Sequence, residues 1–261
     1  MPVKFASLIF LLVCLPLMNG ARVPDAGKEI VSTAPAGAAI DRFCMELYTN
    51  IERDKSKPGY EVLRKALTGF FNLESDDRIK KNLLTIIDFS LSSKLERMWI
   101  IDLNRLEVIH SGLCAHGRNS GEEYASSFSN IPSSYKSSLG FYVTGETYTG
   151  KHGLSLCLDG VESGINDKAR ERAIVMHGAD YVSRDFISRN GRLGRSFGCP
   201  SIPMEDHEKI IKMLSGQSCL FIHYPDNGYL KGSSLLADDT ASAGISRFLY
   251  ESLNGNLFSM F

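Results

Sequence analysis

A formal net charge of -1 leaves this 261-residue chain without the basic surplus that marks nucleic-acid binding, so no nucleic-acid partner is expected. No Cys-x-x-Cys pair occurs, which argues against a thioredoxin-type redox motif or a zinc ribbon. No glycine-rich loop ends in Lys-Ser or Lys-Thr, so phosphate-loop chemistry has no motif to rest on. No His/Cys pair has convincing metal-ligand spacing. There is no internal repeat and no run of like charges. The single tryptophan, Trp99, falls in a strand-like run and reads as core. No apolar run reaches the roughly 20 residues of a membrane-spanning helix.

What is present is an ordinary globular composition, 43% hydrophobic and 23% charged, enough for a sizeable core. At the N-terminus Lys4 precedes an uncharged run over residues 5–18, followed by Asn19, Gly20 and Ala21. Charged, then apolar, then small is the order of a secretory signal peptide, assigned to residues 1–21, with no membrane span left after cleavage. A buried first helix or an uncleaved anchor is the alternative. Cys14 lies inside the run behind Val13 rather than a small residue, which disfavours lipid modification. Cleavage leaves Cys44, Cys114, Cys157, Cys199 and Cys219, an odd count that strands at least one thiol. The other four either form two disulfides or are small buried hydrophobes.

Residues 22–36 read as a flexible Ala/Gly/Pro lead-in. Ile40, Phe43, Cys44, Leu47 and Ile51 recur at helical spacing over 38–51, and a second amphipathic helix is expected over 59–71 behind Pro58. Together they make a small N-terminal helical layer within 22–80. From residue 82 short apolar or alternating runs (83–90, 97–103, 106–114, 140–145, 153–158, 172–177 and 218–224) read as strands of an antiparallel sheet. The Ser/Gly/Asn-rich stretch 118–138 reads as a long ordered loop, a length often functional. A helix is expected over 203–214, and a short amphipathic one near 245–253 in a C-terminal extension, 231–261. The catalytic part, 81–230, is therefore expected to be mostly β with a few helices.

The chemistry concentrates between residues 174 and 203. A strand delivers His177-Gly178, and a glycine-rich turn, Gly191 to Gly198, delivers Cys199. A tight turn at Ser196-Phe197-Gly198-Cys199 can aim consecutive backbone N–H groups at one point, as an oxyanion hole needs. An ordinary thiol is only partly ionised at neutral pH, and a nearby imidazole activates it by taking its proton. The imidazole in turn needs a group to fix its tautomer, for which the Gly178 carbonyl and Asp180 are near in sequence.

Ser196 ahead of Gly198-Cys199, with His177-Gly178 upstream, resembles the L,D-transpeptidase (YkuD-like) catalytic domain, whose signature is His-Gly, a spacer, then Ser/Thr-His-Gly-Cys. Ser137-Ser138-Leu139-Gly140-Phe141-Tyr142-Val143 is similar to that family's strand entry. Phe128-Ser129-Asn130, Gly150-Lys151-His152-Gly153 and His177-Gly178-Ala179-Asp180-Tyr181 bring the run 83–229 closest to its variant branch, the murein L,D-transpeptidase catalytic domain family. The chain departs from the wider pattern in three places. Phe197 replaces a His two residues before Cys199, Pro200-Ser201-Ile202 replaces the usual Arg or Asn after it, and the 22-position step from His177 to Cys199 is slightly long.

The resemblance implies a β-sandwich or barrel catalytic domain acting on peptidoglycan stem peptides in the periplasm or cell envelope, without cofactor. Cys199 attacks the carbonyl between the L-centre of meso-diaminopimelate and terminal D-Ala of a tetrapeptide, D-Ala leaves, and an amine (giving a 3→3 cross-link) or water resolves the thioester. It implies His177 as base and then acid, the Gly178 carbonyl as its orienter, Gly198 and Cys199 N–H groups as oxyanion donors, and acylation of Cys199 by carbapenems. Water as acceptor makes the protein an L,D-carboxypeptidase or a wall-releasing thiol hydrolase. A catalytically inactive wall-binding protein is the rival of another class. Around the site, Arg195 is either a binder of a stem carboxylate or a brace for its loop, and Ser196 either supports the turn or touches substrate. Tyr181 flanks the site; His116 lines the donor groove or is structural; His152 contacts substrate or serves the turn. His207 is expected to be solvated on its helix.

Overall fold

The computed structural model describes residues 37–51 and 56–258, so the expected leader, 1–21, lies outside the described residues. In chain order the elements are α1 (Ala38–Asn50), α2 (Tyr60–Ser75), β1 (Leu83–Asp88), β2 (Met98–Asp102), β3 (Glu107–Gly112), β4 (Gly140–Gly150), β5 (Gly153–Gly160) and β6 (Val175–Gly178). They continue with α3 (Arg184–Asn190), β7 (Ser201–Ile202), α4 (His207–Leu214), β8 (Cys219–His223), α5 (Asn227–Gly232), a 3-10 turn (Ser234–Leu236) and α6 (Asp238–Phe258). Among the described residues no helix is long and apolar enough to cross a membrane.

The two N-terminal helices form where helical spacing places them. α1 buries Ile40, Phe43, Cys44 and Leu47, and α2 buries Leu63, Ala66, Leu67, Phe70 and Phe71. Gly69 lies on that buried face, where a Cβ would fall 2.0 Å from the Phe141 ring of β4. The glycine lets α2 rest directly on the sheet, against a helix-propensity cost of about 1 kcal/mol. The C-terminal helix is longer than the sequence pattern suggests: α6 runs 21 residues and docks on this layer. Phe43, Phe71 and Phe248 meet edge to face, with centroids 5.4, 5.9 and 5.6 Å apart, and Arg64 reaches both Asp41 at 2.6 Å and Asp238 at 2.9 Å. Asn72 adds bonds to the Leu235 and Ala237 carbonyls, both 2.9 Å. The two ends of the described chain thus share one core with the sheet.

The eight strands run in the order β3-β2-β1-β8-β4-β5-β6-β7. The expectation of a wholly antiparallel sheet needs correction, because β1 pairs with β8, and β6 with β7, in parallel. Parallel neighbours require a crossover rather than a hairpin. The β6-to-β7 crossover is the stretch containing α3 and the glycine-rich turn, so the topology itself hangs that turn beside the end of β6. Just past β3, Ala115 exchanges backbone hydrogen bonds with Ser201 of β7 (2.8 and 3.2 Å), joining the two sheet edges into a nearly closed barrel. The fold is mostly β with N-terminal helices, as expected. Its five described cysteines are free thiols; Cys44, Cys114 and Cys219 are buried as small apolar side chains rather than paired.

Candidate active site

β6 sets His177 in register between Ser155 of β5 and Ser201 of β7. Its Nδ1 lies 2.8 Å from the Gly178 carbonyl, which can only accept, so Nδ1 carries the proton and Nε2 is the acceptor. Nε2 receives the Ser201 hydroxyl at 3.0 Å, and the Ser201 oxygen in turn receives the Tyr181 hydroxyl at 3.0 Å. Both ring nitrogens are therefore held, while His152, on the two-residue β4–β5 turn, stacks on the imidazole at 4.4 Å with planes 22° apart. Gly178 must lack a side chain: a Cβ there would sit 2.6 Å from Met204 Sδ and 2.7 Å from His207 Cγ. His207 is accordingly buried and bonded through Nδ1 to the Met204 carbonyl (2.8 Å), not solvated as its helix position suggests.

The turn carrying Cys199 is clamped from inside and outside. Ser196 Oγ donates to the Cys199 carbonyl at 2.6 Å and accepts the Gly198 N–H at 3.0 Å. Gly198 has φ +128°, and a Cβ there would lie 2.9 Å from the Lys136 carbonyl. Only glycine combines that backbone with that neighbour. From the long loop, the buried Ser137 hydroxyl donates to the Gly198 carbonyl at 3.0 Å. Gly194 serves Tyr181 in the same way, since a Cβ would fall 2.3 Å from the Tyr181 Cβ.

Cys199 Sγ accepts the Val175 N–H at 3.5 Å and points its proton toward the Ala173 carbonyl at 3.7 Å. Burial raises the thiol above its ordinary pKa, against the pull of the Val175 N–H, the Arg172 charge and its own N–H. Burial also lowers His177, aided by the charges of His152 and Lys151 and opposed by the Gly178 hydrogen bond. Both directions favour a resting thiol beside a neutral imidazole.

One cavity of about 610 Å³ brings these groups together: Cys199, His177, His152, Tyr181, Arg195 and Ser196 all line it. His116 does not. It is 1% exposed, takes Arg97 Nη2 on Nδ1 at 2.8 Å and faces the Gly121 carbonyl with Nε2 at 3.3 Å, so the donor-groove position expected for it gives way to a structural one. Burial, with Arg97 beside it, pushes its pKa down to about 3. Arg195 lines the cavity, but its Nη1 contacts the Arg118 and Gly121 carbonyls (3.0 Å each) and Glu122 (2.6 Å), the bracing arrangement. Of the two expected oxyanion donors, the Gly198 N–H is occupied by Ser196 Oγ. Asp180 forms no hydrogen bond with His177; the Gly178 carbonyl holds the ring instead.

Three residues of the site carry no signal of their role in the sequence: Ser201 behind His177, and Arg172 and Tyr148 in the cavity lining. Ser201 sits where the family's Arg or Asn is missing, a position legible as a departure but not as a hydroxyl partner for His177. Arg172 pins the long loop through the Ser129 carbonyl at 2.7 Å and the Lys136 carbonyl at 2.6 Å, contacts far apart in sequence. Tyr148 gives the rim an exposed aromatic from the overlong end of β4. Among the described residues no group of three His, Cys, Asp or Glu is placed to hold a metal ion.

The family model described as the L,D-transpeptidase catalytic domain matches residues 54–223. No curated protein matches in sequence. Among solved structures, an L,D-transpeptidase from Mycobacterium smegmatis is similar at 10% identity and TM-score 0.35, covering 55% of this chain and 59% of its own. The helical cell-shape-determining protein Pgp2 from Campylobacter jejuni is similar at 13% identity and TM-score 0.39, covering 72% and 64%. An L,D-transpeptidase from Stackebrandtia nassauensis is similar at 10% identity and TM-score 0.33, covering 74% and 94%. The chain thus spans less than two thirds of the first two of these proteins. With a family model matching well over half its length and ending with β8, the central strand between β1 and β4, the chain belongs to the L,D-transpeptidase catalytic-domain family.

Proposed function

We propose that this protein is an exported L,D-transpeptidase acting through a Cys199 thioester, with residues 1–21 as its export signal. The observation that supports it is the sharing of one cavity by Cys199 and a His177 whose Nδ1–H is fixed on the Gly178 carbonyl. With Nδ1 protonated, Nε2 is the only ring atom able to take a proton. As the sulfur attacks the stem carbonyl, the thiol proton passes to Nε2 and the carbonyl electrons move to oxygen. Collapse expels D-Ala, whose amine takes that proton back, and leaves the acyl group on sulfur. An acceptor amine or water then repeats the sequence in reverse. Because burial keeps the thiol protonated at rest, His177 acts as a general base during attack rather than as one half of a standing ion pair.

The oxyanion falls to the Cys199 N–H, joined by the Gly198 N–H when Ser196 Oγ releases it. A donor of this kind contributes about 2.7–4 kcal/mol to acyl transfer. Ser201 and Tyr181 are positioning residues. When His177 becomes charged, the Ser201 hydroxyl turns over to accept from Nε2–H and donates to Tyr181. The pair then steadies the imidazolium without any proton leaving the chain.

The test is mass spectrometry of muropeptides after incubation with disaccharide-tetrapeptide. A dimer that has lost one D-Ala is expected. Tripeptide alone would make water the acceptor and the protein an L,D-carboxypeptidase. Unchanged substrate would overturn the catalytic reading in favour of a binding protein.

A further inference from the structure

Beside the catalytic cleft lies a second hollow of about 500 Å³, lined by Arg118, Asn119, Glu122, Arg192, Arg195 and Phe197. It shares Arg195 and Phe197 with the cleft, so the two hollows adjoin. Its charges do not balance. Glu122 places Oε1 2.6 Å from Arg195 and Oε2 2.9 Å from Arg192, so both of its oxygens are engaged. Arg118 has no carboxylate partner among the described residues.

Arg118 is nonetheless held in place. Its guanidinium lies 5.3 Å from the Tyr135 ring centre and 5.4 Å from that of Phe197, and the two rings stand 4.9 Å apart. Cation–π contact fixes the guanidinium while leaving its N–H edge free. Its backbone N–H donates to the Ser196 carbonyl at 2.8 Å, so this cation is tied to the same turn that carries Cys199. Phe197, 57% exposed, stands where the wider family has His, and here it serves as half of the platform under Arg118.

We propose that this hollow is a subsite for a carboxylate of the peptide stem, with Arg118 as its principal ligand and Arg192 and Arg195 supplying the surrounding positive field. A planar guanidinium with a free edge offers the two parallel N–H groups that a carboxylate takes bidentately. The inference rests on the proposed action on wall stems and adds the charge state of the stem as a determinant of binding.

The experiment measures binding of two otherwise identical disaccharide-tetrapeptides to full-length Cys199→Ala protein, by calorimetry. One stem bears free carboxylates; in the other every stem carboxylate is a carboxamide. The free form is expected to bind about 3- to 10-fold tighter at low salt, the advantage shrinking as salt is added. Arg118→Gln, an exposed change, should bring the ratio close to one while the thermal midpoint stays put. An unchanged ratio in Arg118→Gln, or equal binding of both stems to the parent, overturns the subsite. Wild-type turnover is followed in parallel. Turnover with equal binding removes the subsite alone, whereas no turnover and no binding of either stem removes the proposed function and the subsite with it.

Discussion

Replacing Ser201 by alanine removes one oxygen from a position that is fully buried and makes two contacts, to His177 Nε2 and to Tyr181 Oη, both at 3.0 Å. No steric penalty arises, so the effect is electrostatic. At rest the lost bond is between neutral groups, worth about 0.5–1.5 kcal/mol; in the acyl-transfer step it is a bond to imidazolium, worth about 1.5–3 kcal/mol. The difference, about 1 kcal/mol, falls on the step that charges His177 and predicts a roughly fivefold loss of kcat/KM. The sign of the pH effect follows. Ser201 favours the charged ring more than the neutral one, so its loss lowers the His177 pKa beyond the depression that burial already imposes. Activity requires neutral His177 and disappears as pH falls through that pKa, so the acid limb of the profile moves to lower pH in the variant. The assay is kcat/KM across pH for wild type, Ser201→Ala and Tyr181→Phe. Tyr181→Phe should shift the limb in the same direction by less, and the double variant should resemble Ser201→Ala. An acid limb that moves upward, or a rate loss with no shift at all, would refute the hydroxyl-pair account and reduce Ser201 to packing.

Buried His116 and the Cys199 turn give two further expected outcomes. His116 has a folded pKa of about 3 against an ordinary 6.5, so the unfolded chain takes up its proton first as pH falls. Its contribution is complete above pH 6.5 and drains away between there and about 3. At pH 5 the loss is on the order of 2 kcal/mol relative to pH 7, read as a falling urea midpoint, and His116→Gln should flatten that dependence. Gly198→Ala forces a Cβ 2.9 Å from the Lys136 carbonyl at φ +128°, which should cost about 1–3 kcal/mol of stability in a thermal melt. It should also cost roughly a hundredfold in turnover, because the Cys199 turn has to move. A variant that melts and turns over like wild type would sink the clamp.

The elements that declare themselves in one dimension were legible. Helical spacing marks α1 and α2, alternation marks β5, and the His-Gly and Gly-Cys pairs mark the ends of two segments that the β6-to-β7 crossover brings together. What escaped depends on contacts between distant positions. The parallel pairing of β1 with β8 leaves no local signal, since each strand reads as an apolar run. The length of α6 is set by its docking on α1 and α2, through Phe248 and Asp238, rather than by a clean apolar stripe. His116 and His207 look alike in sequence to any exposed histidine, and only the Arg97 guanidinium and the Gly178 backbone bury them. Ser201 was visible as a missing Arg or Asn, yet its bond to His177 exists only because β6 and β7 pair in that register.

Intact-mass spectrometry after incubation with a carbapenem tests the nucleophile most directly, since the family resemblance makes that compound an acylating probe. Wild-type protein should gain one adduct, mapped to the peptide containing Cys199, while Cys199→Ala gains none and melts at a similar temperature. An unmodified wild type, or an adduct that persists in Cys199→Ala, would contradict the assignment of Cys199 as the attacking thiol.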